Sequence, residues 1–120
     1  MTDTATRELD WYLRDHLFRQ SNSGKTAFMR ESLPSDMVKL YLRYRNANLQ
    51  QLTETMIEVI EGLVARHVLT QEGNKLNMPG KLSRLQCGKC FYINYLAESE
   101  PRMCLRCQND ELRDFQNKKA

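Results

Sequence analysis

Hydrophobic residues in the first part of the chain repeat with the period of an α-helix. Leu9, Leu13 and Leu17 recur every four residues, and Trp11 and Phe18 widen the same face. This spacing predicts an amphipathic helix over residues 5–20. A longer stretch of the same period predicts a helix over residues 49–67, with apolar positions at Leu49, Leu52, Met56, Val59, Ile60, Leu63 and Val64.

Two shorter elements are predicted between these helices. A turn at residues 21–24 is followed by a short helix over 26–31, which ends before Pro34 because the residue preceding a proline avoids the helical region. Ser35 can cap a further helix. The outward side of that helix is basic and carries Lys39, Arg43 and Arg45.

The pattern changes from helical to alternating after residue 67. Residues 68–71 and 75–78 flank Gly73, which can supply a positive φ, so a β-hairpin is predicted there. Helices followed by a two-stranded ribbon resemble a winged helix-turn-helix domain, and the helix-to-wing junction of that family resembles Leu63-Val64-Ala65-Arg66-His67-Val68-Leu69. The resemblance covers residues 5–78.

The helix before this hairpin has an acidic outer face. In a DNA-reading winged helix the corresponding helix enters the major groove. Here it carries Glu54, Glu58 and Glu61, which phosphates would repel. The basic helix at residues 37–45 is therefore the better candidate for contact with DNA.

Four cysteines stand in two pairs of identical spacing. Cys87 and Cys90 enclose two residues, Cys104 and Cys107 enclose two more, and thirteen residues separate the pairs. Two residues between cysteines let a tight turn direct both thiolates at one ion, and two such turns complete a tetrahedral four-sulfur site. A closed site of this kind has no position for an activated water, so one structural zinc ion is predicted.

Other uses of the four cysteines fit the sequence less well. Two disulfides are typical of secreted proteins, but the segment before the first predicted helix is polar and does not have the features of a signal segment. A redox Cys-x-x-Cys motif normally occurs once, beside a strand and a helix. Iron in a rubredoxin-like site stays open as the alternative to zinc.

Aromatic and basic residues surround the cysteines. Residues 91–96 alternate well enough to predict one strand of a zinc ribbon. Phe91 is interpreted as a residue that covers the metal site or docks it on the helices, whereas Lys89 and Arg106 are also candidates for tuning the charge of the thiolates. Candidates for stacking on bases or contacting phosphates are Lys39, Arg43, Arg45, Lys75, Lys81, Arg84, Lys89, Tyr92, Tyr95, Arg102 and Arg106.

The cysteine segment also resembles a known family. The pattern Cys87-x-x-Cys90-x-Tyr92-Ile93, a polar hairpin, and then Cys104-Leu105-x-Cys107-Gln108 is similar to the C-terminal zinc segment of the FlhC family of flagellar regulators and their mobile-element relatives. Those proteins are helical, bind zinc through four cysteines and act on DNA with a partner subunit. The resemblance covers about a fifth of the chain. It implies a small bacterial, phage or plasmid transcription regulator.

Composition narrows the function classes. The formal net charge is +3, and 41 % of the residues are hydrophobic against 28 % charged, with no apolar run long enough to span a membrane. A cytoplasmic location is therefore expected. Ser23-Gly24-Lys25-Thr26 lacks the earlier glycine of a phosphate-binding loop, and His16 and His67 lie on predicted helix faces. Neither enzymatic activity nor a small-molecule substrate is predicted.

These observations predict a mainly α protein of two parts. A winged helix-turn-helix-like helical domain occupies residues 1–78, a linker 79–83, a small C-terminal zinc ribbon 84–110, and a charged tail or short helix 111–120. The predicted function is a zinc-containing, DNA-binding transcription regulator, with duplex DNA as the favoured nucleic acid. Two alternatives stay open: a protein-interaction adaptor that binds RNA polymerase or a partner regulator without reading bases, and a single-stranded RNA-binding factor. A protein partner or a homodimer is compatible with the sequence.

Overall fold

A computed structural model describes residues 4–42 and 49–114 of the chain. These two ranges contain three helices and six strands, and the strands form two antiparallel three-stranded sheets. No helix among them combines the length and the hydrophobicity needed to cross a bilayer. The elements are α1 (Thr4–Asn22), β1 (Ala27–Met29), α2 (Leu33–Leu42), α3 (Leu49–Ala65), β2 (Thr70–Glu72), β3 (Lys75–Asn77), β4 (Ser83–Cys87), β5 (Ile93–Leu96) and β6 (Leu112–Asp114).

The two long helices form where the hydrophobic period predicts them. α1 buries Leu9, Leu13 and Leu17 completely, and α3 does the same with Met56 and Ile60. The two helices pack against each other, and α2 packs against both. Each fully buried side chain of this size stabilises the fold by roughly 1.5–3 kcal/mol relative to an exposed one. These buried stripes therefore supply much of the free energy that holds the three helices together.

The first sheet, in the order β1-β3-β2, joins two distant parts of the chain. β2 and β3 form the predicted hairpin, and Gly73 takes a φ of 61° in its turn. The short helix predicted over residues 26–31 is wrong, because β1 lies there and pairs Phe28 with Leu76 of β3. A segment this short makes a marginal helix, whereas an extended chain completes the hydrogen bonds of β3 and buries the Phe28 ring.

The second sheet has the order β5-β4-β6 and leads at one end into the first pair of cysteines. β4 is its central strand and ends at Cys87. β5 pairs with one side of β4, where Asn94 lies opposite Leu85, and β6 pairs with the other side, where Leu112 lies opposite Cys87. The segment predicted as a charged tail or short helix thus contains a strand, and its residues 115–120 lie outside the described part of the chain.

The expected fold class, a mainly α chain with a winged helix-turn-helix-like domain and a small ribbon, is wrong. The described chain combines three helices with six strands in two sheets. Four of those six strands have only three residues. Strands this short contain too few alternating positions to produce a clear period, so the sequence pattern underestimates the sheet content.

The second sheet is docked on α1 by apolar and polar contacts. Tyr95 of β5 and Leu82, just before β4, belong to the same hydrophobic core as the helices. The indole Nε1 of Trp11 donates to the backbone oxygen of Ile93 at 2.8 Å. Strand β5 is therefore held against α1, and the turn that joins it to Cys90 lies beside the start of that helix.

Candidate metal centre and the groove beside it

A tight turn at the end of β4 carries the first pair of cysteines. The backbone N–H groups of Lys89 and Cys90 donate to the Sγ of Cys87 at 3.3 and 3.4 Å. The amide of Phe91 donates to the backbone oxygen of Cys87 at 3.1 Å, and Phe91 adopts a left-handed φ of 64°. This φ lets the chain turn back into β5 while both sulfur atoms stay on one side.

The second pair of cysteines lies in a turn of the same design. The N–H groups of Arg106 and Cys107 donate to the Sγ of Cys104 at 3.4 and 3.5 Å. The amide of Gln108 donates to the backbone oxygen of Cys104 at 2.9 Å, and Gln108 has a φ of 65°. Equal spacing in the sequence therefore corresponds to equal backbone geometry in the two turns.

The structure brings the four predicted ligands together. All four Sγ atoms lie within 4.8 Å of one another, with 3.5 Å between Cys87 and Cys107 and 3.6 Å between Cys90 and Cys104. Sulfur atoms about 2.3 Å from a tetrahedral ion lie roughly 3.8 Å from each other. The four cysteines could therefore coordinate one metal ion, and their thiols are free of disulfides.

The four candidate ligands differ in exposure. Cys87 and Cys104, the first members of their pairs, are 0 % and 1 % exposed. Cys90 is partly buried, whereas Cys107 is exposed to solvent. The cluster thus has one side set into the protein and one side open to water.

Backbone donors favour the thiolate form in both turns. Burial alone would raise the pKa of Cys104, but the N–H groups of its own turn, that of Cys107 first, outweigh burial and lower this pKa to about 6. The N–H of Cys90 is the main cause that lowers the pKa of Cys87. Burial raises the pKa of Cys90 to about 12, so a bound metal must displace its proton.

Asn94 supports the second turn from β5 and was not identified from the sequence. Its side chain is fully buried, its Oδ1 accepts the N–H of Leu105 at 2.8 Å, and its Nδ2 donates to the backbone oxygen of Tyr92 at 3.2 Å. It also helps to lower the pKa of Cys104. A polar residue inside the apolar run 93–96 is the signal that could have revealed it.

Arg14 is a second residue that the sequence analysis missed. Its side chain is 0 % exposed and donates to Asp10 at 2.9 Å, to both carboxylate oxygens of Glu100 at 2.7 Å, and to the backbone oxygen of Tyr95 at 2.6 Å. Glu100 belongs to the turn after β5, between the two cysteine pairs. The arginine therefore ties α1 to the loop that leads into Cys104.

Most of the basic residues predicted to contact nucleic acid lie on the surface. Arg43 and Arg45 fall outside the described residues, and Arg102 lies 4.0 Å from Asp114. The exposed members of the predicted set are Lys39, Lys75, Lys81, Lys89, Arg102 and Arg106.

The aromatic candidates differ from the prediction. Tyr95 is 2 % exposed and its hydroxyl donates to Asp15 at 2.6 Å, so it belongs to the core rather than to the surface. Arg84 is half-buried, with its guanidinium 5.1 Å from the Phe18 ring centre. Phe91, interpreted as a residue that covers the metal site or docks it on the helices, is 69 % exposed.

A groove of about 490 Å³ lies between α1 and the first cysteine turn. Aromatic residues line it from both sides, Trp11 and Tyr12 from α1 and Phe91 and Tyr92 from the turn. The guanidinium of Arg106 lies 6.0 Å from the centre of the Tyr92 ring. The other charged residues that line this groove are Arg7 and Glu8.

Comparisons with known proteins add no relative. No model of a known family, no curated protein and no solved structure matches the chain. The fold and the cysteine cluster are therefore the observations on which a function can be based.

Proposed function

We propose that the protein is a zinc-containing, DNA-binding regulator of transcription in which zinc is structural. Thiolate ligands in a tetrahedral set favour zinc over the harder divalent ions. Cys87, Cys90, Cys104 and Cys107 would occupy all four coordination positions, so the ion would stabilise the two turns and would not activate water. This function requires no catalytic residue.

The observation that carries DNA binding is the position of two cations inside the cysteine turns. Lys89 and Arg106 hold equivalent places, each with its backbone N–H on a sulfur atom and its side chain exposed. Four thiolates around Zn²⁺ leave a formal charge of about −2, which would repel phosphates without nearby cations. The metal would therefore fix the two positive side chains of Lys89 and Arg106 next to its own negative charge, and Lys81 and Arg102 are further exposed cations of the described chain.

Titration of duplex DNA at two salt concentrations tests this proposal. Fluorescence anisotropy at roughly 50 and 200 mM salt should show an affinity that falls as salt rises, because phosphate contacts release counterions. Substituting Lys89 and Arg106 together by glutamine should reduce the steepness of the plot of log affinity against log salt concentration by about 2, because two phosphate contacts are lost. Lys25→Gln is the matched control, since Lys25 is exposed and lies outside the predicted contact set.

The outcomes separate DNA binding from the alternatives. An absence of duplex binding at the lower salt concentration, with the protein folded and loaded with zinc, would refute the proposal. If Lys25→Gln changed the salt dependence as much as the double variant does, Lys89 and Arg106 would not be the specific phosphate contacts.

A protein-interaction adaptor is the second candidate, and one observation favours it. Glu54, Glu58 and Glu61 are all exposed on α3, and Glu61 lies 3.7 Å from the guanidinium of Arg30. This acidic face would repel DNA but would suit a basic protein surface. Charge reversal at Glu54 and Glu58 should abolish capture of such a partner and should leave DNA affinity equal or higher.

A further inference from the structure

Phe91 combines two unfavourable features at the edge of the metal site. Its backbone lies in the left-handed region at φ 64°, where glycine is favoured, and its apolar ring is 69 % exposed. Gln108 occupies the equivalent place in the second turn at φ 65°, and it is a polar residue. The turn geometry explains the left-handed backbone in both places, but it does not explain an exposed phenyl ring in one of them.

The Phe91 ring forms one wall of the groove described above. Trp11 and Tyr12 face it from α1, and their rings meet edge to face with 5.5 Å between centroids. A volume of about 490 Å³ falls within the range of pockets that enclose small ligands. The groove therefore offers aromatic surface on two sides to a flat group of modest size.

The charges around the groove indicate what kind of flat group fits. Arg7 and Arg106 both line it, and Glu8 is the one acidic side chain among the described lining residues. Lys89 is exposed two residues before Phe91. Aromatic walls combined with cations at the rim are the arrangement used for bases of single-stranded nucleic acid, where rings stack on bases and cations contact phosphates.

We propose that this groove holds an unpaired base of single-stranded DNA, stacked on Phe91, with Arg7 and Arg106 contacting the flanking phosphates. The proposal rests on the proposed DNA-binding function and deepens it. A base in a duplex has both faces covered by its neighbours, so it cannot enter the groove without leaving the stack. Duplex and single-stranded DNA would thus share Arg106, while the unpaired base would in addition use Phe91 and Arg7 of the groove.

The only tryptophan of the chain provides the readout, because Trp11 lines the groove. A short oligothymidine should change the Trp11 fluorescence on titration into the zinc-loaded protein. An abasic strand of equal length, which keeps the phosphates and lacks the bases, should bind about tenfold more weakly. Oligouridine compared with oligodeoxyuridine of equal length tests whether the sugar matters, because the two strands differ only in the 2′-hydroxyl.

Phe91→Gly and Gln108→Gly form a matched pair of variants. Each places glycine at a left-handed position of one cysteine turn, so both relieve the same backbone strain. Phe91→Gly should lose about tenfold or more of the oligothymidine affinity, and Gln108→Gly should keep it. Phe91→Tyr retains a stacking ring and should bind as the natural chain does, which separates loss of stacking from loss of folding.

Several outcomes would overturn the inference. Equal affinity for the abasic strand, normal binding by Phe91→Gly, or equal losses in both glycine variants would each exclude a stacked base. Tenfold tighter binding of oligouridine than of oligodeoxyuridine would overturn the assignment to DNA. Salt-dependent duplex binding without any oligothymidine binding would refute this inference alone, whereas loss of binding to both strands and duplex would refute the proposed function as well.

Discussion

Replacing Glu100 by glutamine tests whether the buried arginine holds the second sheet on α1. The guanidinium of Arg14 is fully buried and donates to both carboxylate oxygens of Glu100 at 2.7 Å. Glu100→Gln removes one charge and one acceptor oxygen with almost no change in volume. Arg14 would keep Asp10 and the backbone oxygen of Tyr95 as acceptors.

The expected cost follows from the burial of both partners. The Glu100 side chain is 3 % exposed, and removing one partner of a buried ion pair costs about 3–5 kcal/mol. Because Asp10 and the remaining glutamine oxygen still accept from Arg14, we expect the free energy of unfolding to fall by about 2–4 kcal/mol. Adding Arg14→Met removes the guanidinium, but it also takes this buried donor away from Asp10 and from the backbone oxygen of Tyr95, so the double variant should be no more stable than Glu100→Gln alone.

Urea unfolding of the zinc-loaded protein, followed by circular dichroism, measures these differences. The pair of Arg19 and Asp15 is the control, since its atoms lie 2.9 Å apart, against 2.7 Å for Arg14 and Glu100, but the Arg19 side chain is 69 % exposed. Arg19→Gln should cost less than about 1 kcal/mol. A cost for Glu100→Gln as small as that of Arg19→Gln would refute the assignment of a structural role to the network.

The difference in free energy of unfolding between the natural chain and Glu100→Gln should depend on pH. Burial alone would raise the pKa of Glu100, but the hydrogen bonds and charge of Arg14 outweigh burial and lower it. A carboxyl with a lowered folded pKa stabilises the fold above its ordinary pKa, and this contribution is lost as pH falls through the folded value. The difference between the natural chain and Glu100→Gln should therefore be largest near pH 7 and shrink below about pH 4.5. Burial raises the pKa of Asp10, which has the opposite sign, but Asp10 is present in both proteins.

Three further predictions concern the metal centre, its support and the hairpin. Cys104→Ser should reduce zinc well below one ion per chain in elemental analysis, because serine supplies no thiolate; full zinc content would contradict the four-sulfur site. Asn94→Leu should lower the free energy of unfolding in urea by about 1–3 kcal/mol, since the N–H of Leu105 loses its acceptor; an unchanged value would mean that the amide is dispensable. Gly73→Ala should lower the free energy of unfolding by about 1 kcal/mol in thermal unfolding, because Gly73 has a φ of 61°. Gly80→Ala is the control and should cost little, because Gly80 has open space around it and no positive φ. Equal costs would contradict the backbone explanation.

The long helices and the cysteine cluster could be predicted because their signals are local and repeated. Leu9, Leu13 and Leu17 form a stripe that one helix alone defines. The two Cys-x-x-Cys turns also require only local geometry, and the structure adds that both use backbone donors and a left-handed residue after the second cysteine.

The remaining parts of the fold depend on contacts between distant segments. β1 exists because Phe28 pairs with Leu76, almost fifty residues later, and no pattern within residues 26–31 encodes that partner. Arg14 lies between the buried Leu13 and Leu17 of α1. Its partner Glu100 lies in a polar turn before Pro101, where the sequence gives no sign that it is paired with Arg14. The periodicity of hydrophobic residues does not identify polar residues that become buried through tertiary contacts.

Because the four sulfur atoms are unequally buried, reagents in solvent can approach the metal centre from one side only. Chelators and oxidants can reach Cys107 from solvent, while Cys87 and Cys104 are shielded by the protein. Loss of the ion should then proceed in a fixed order, with the solvent-facing ligand detaching first and the buried pair last. The rate of metal exchange would accordingly depend on the opening of the second turn, even though both turns share the same backbone geometry.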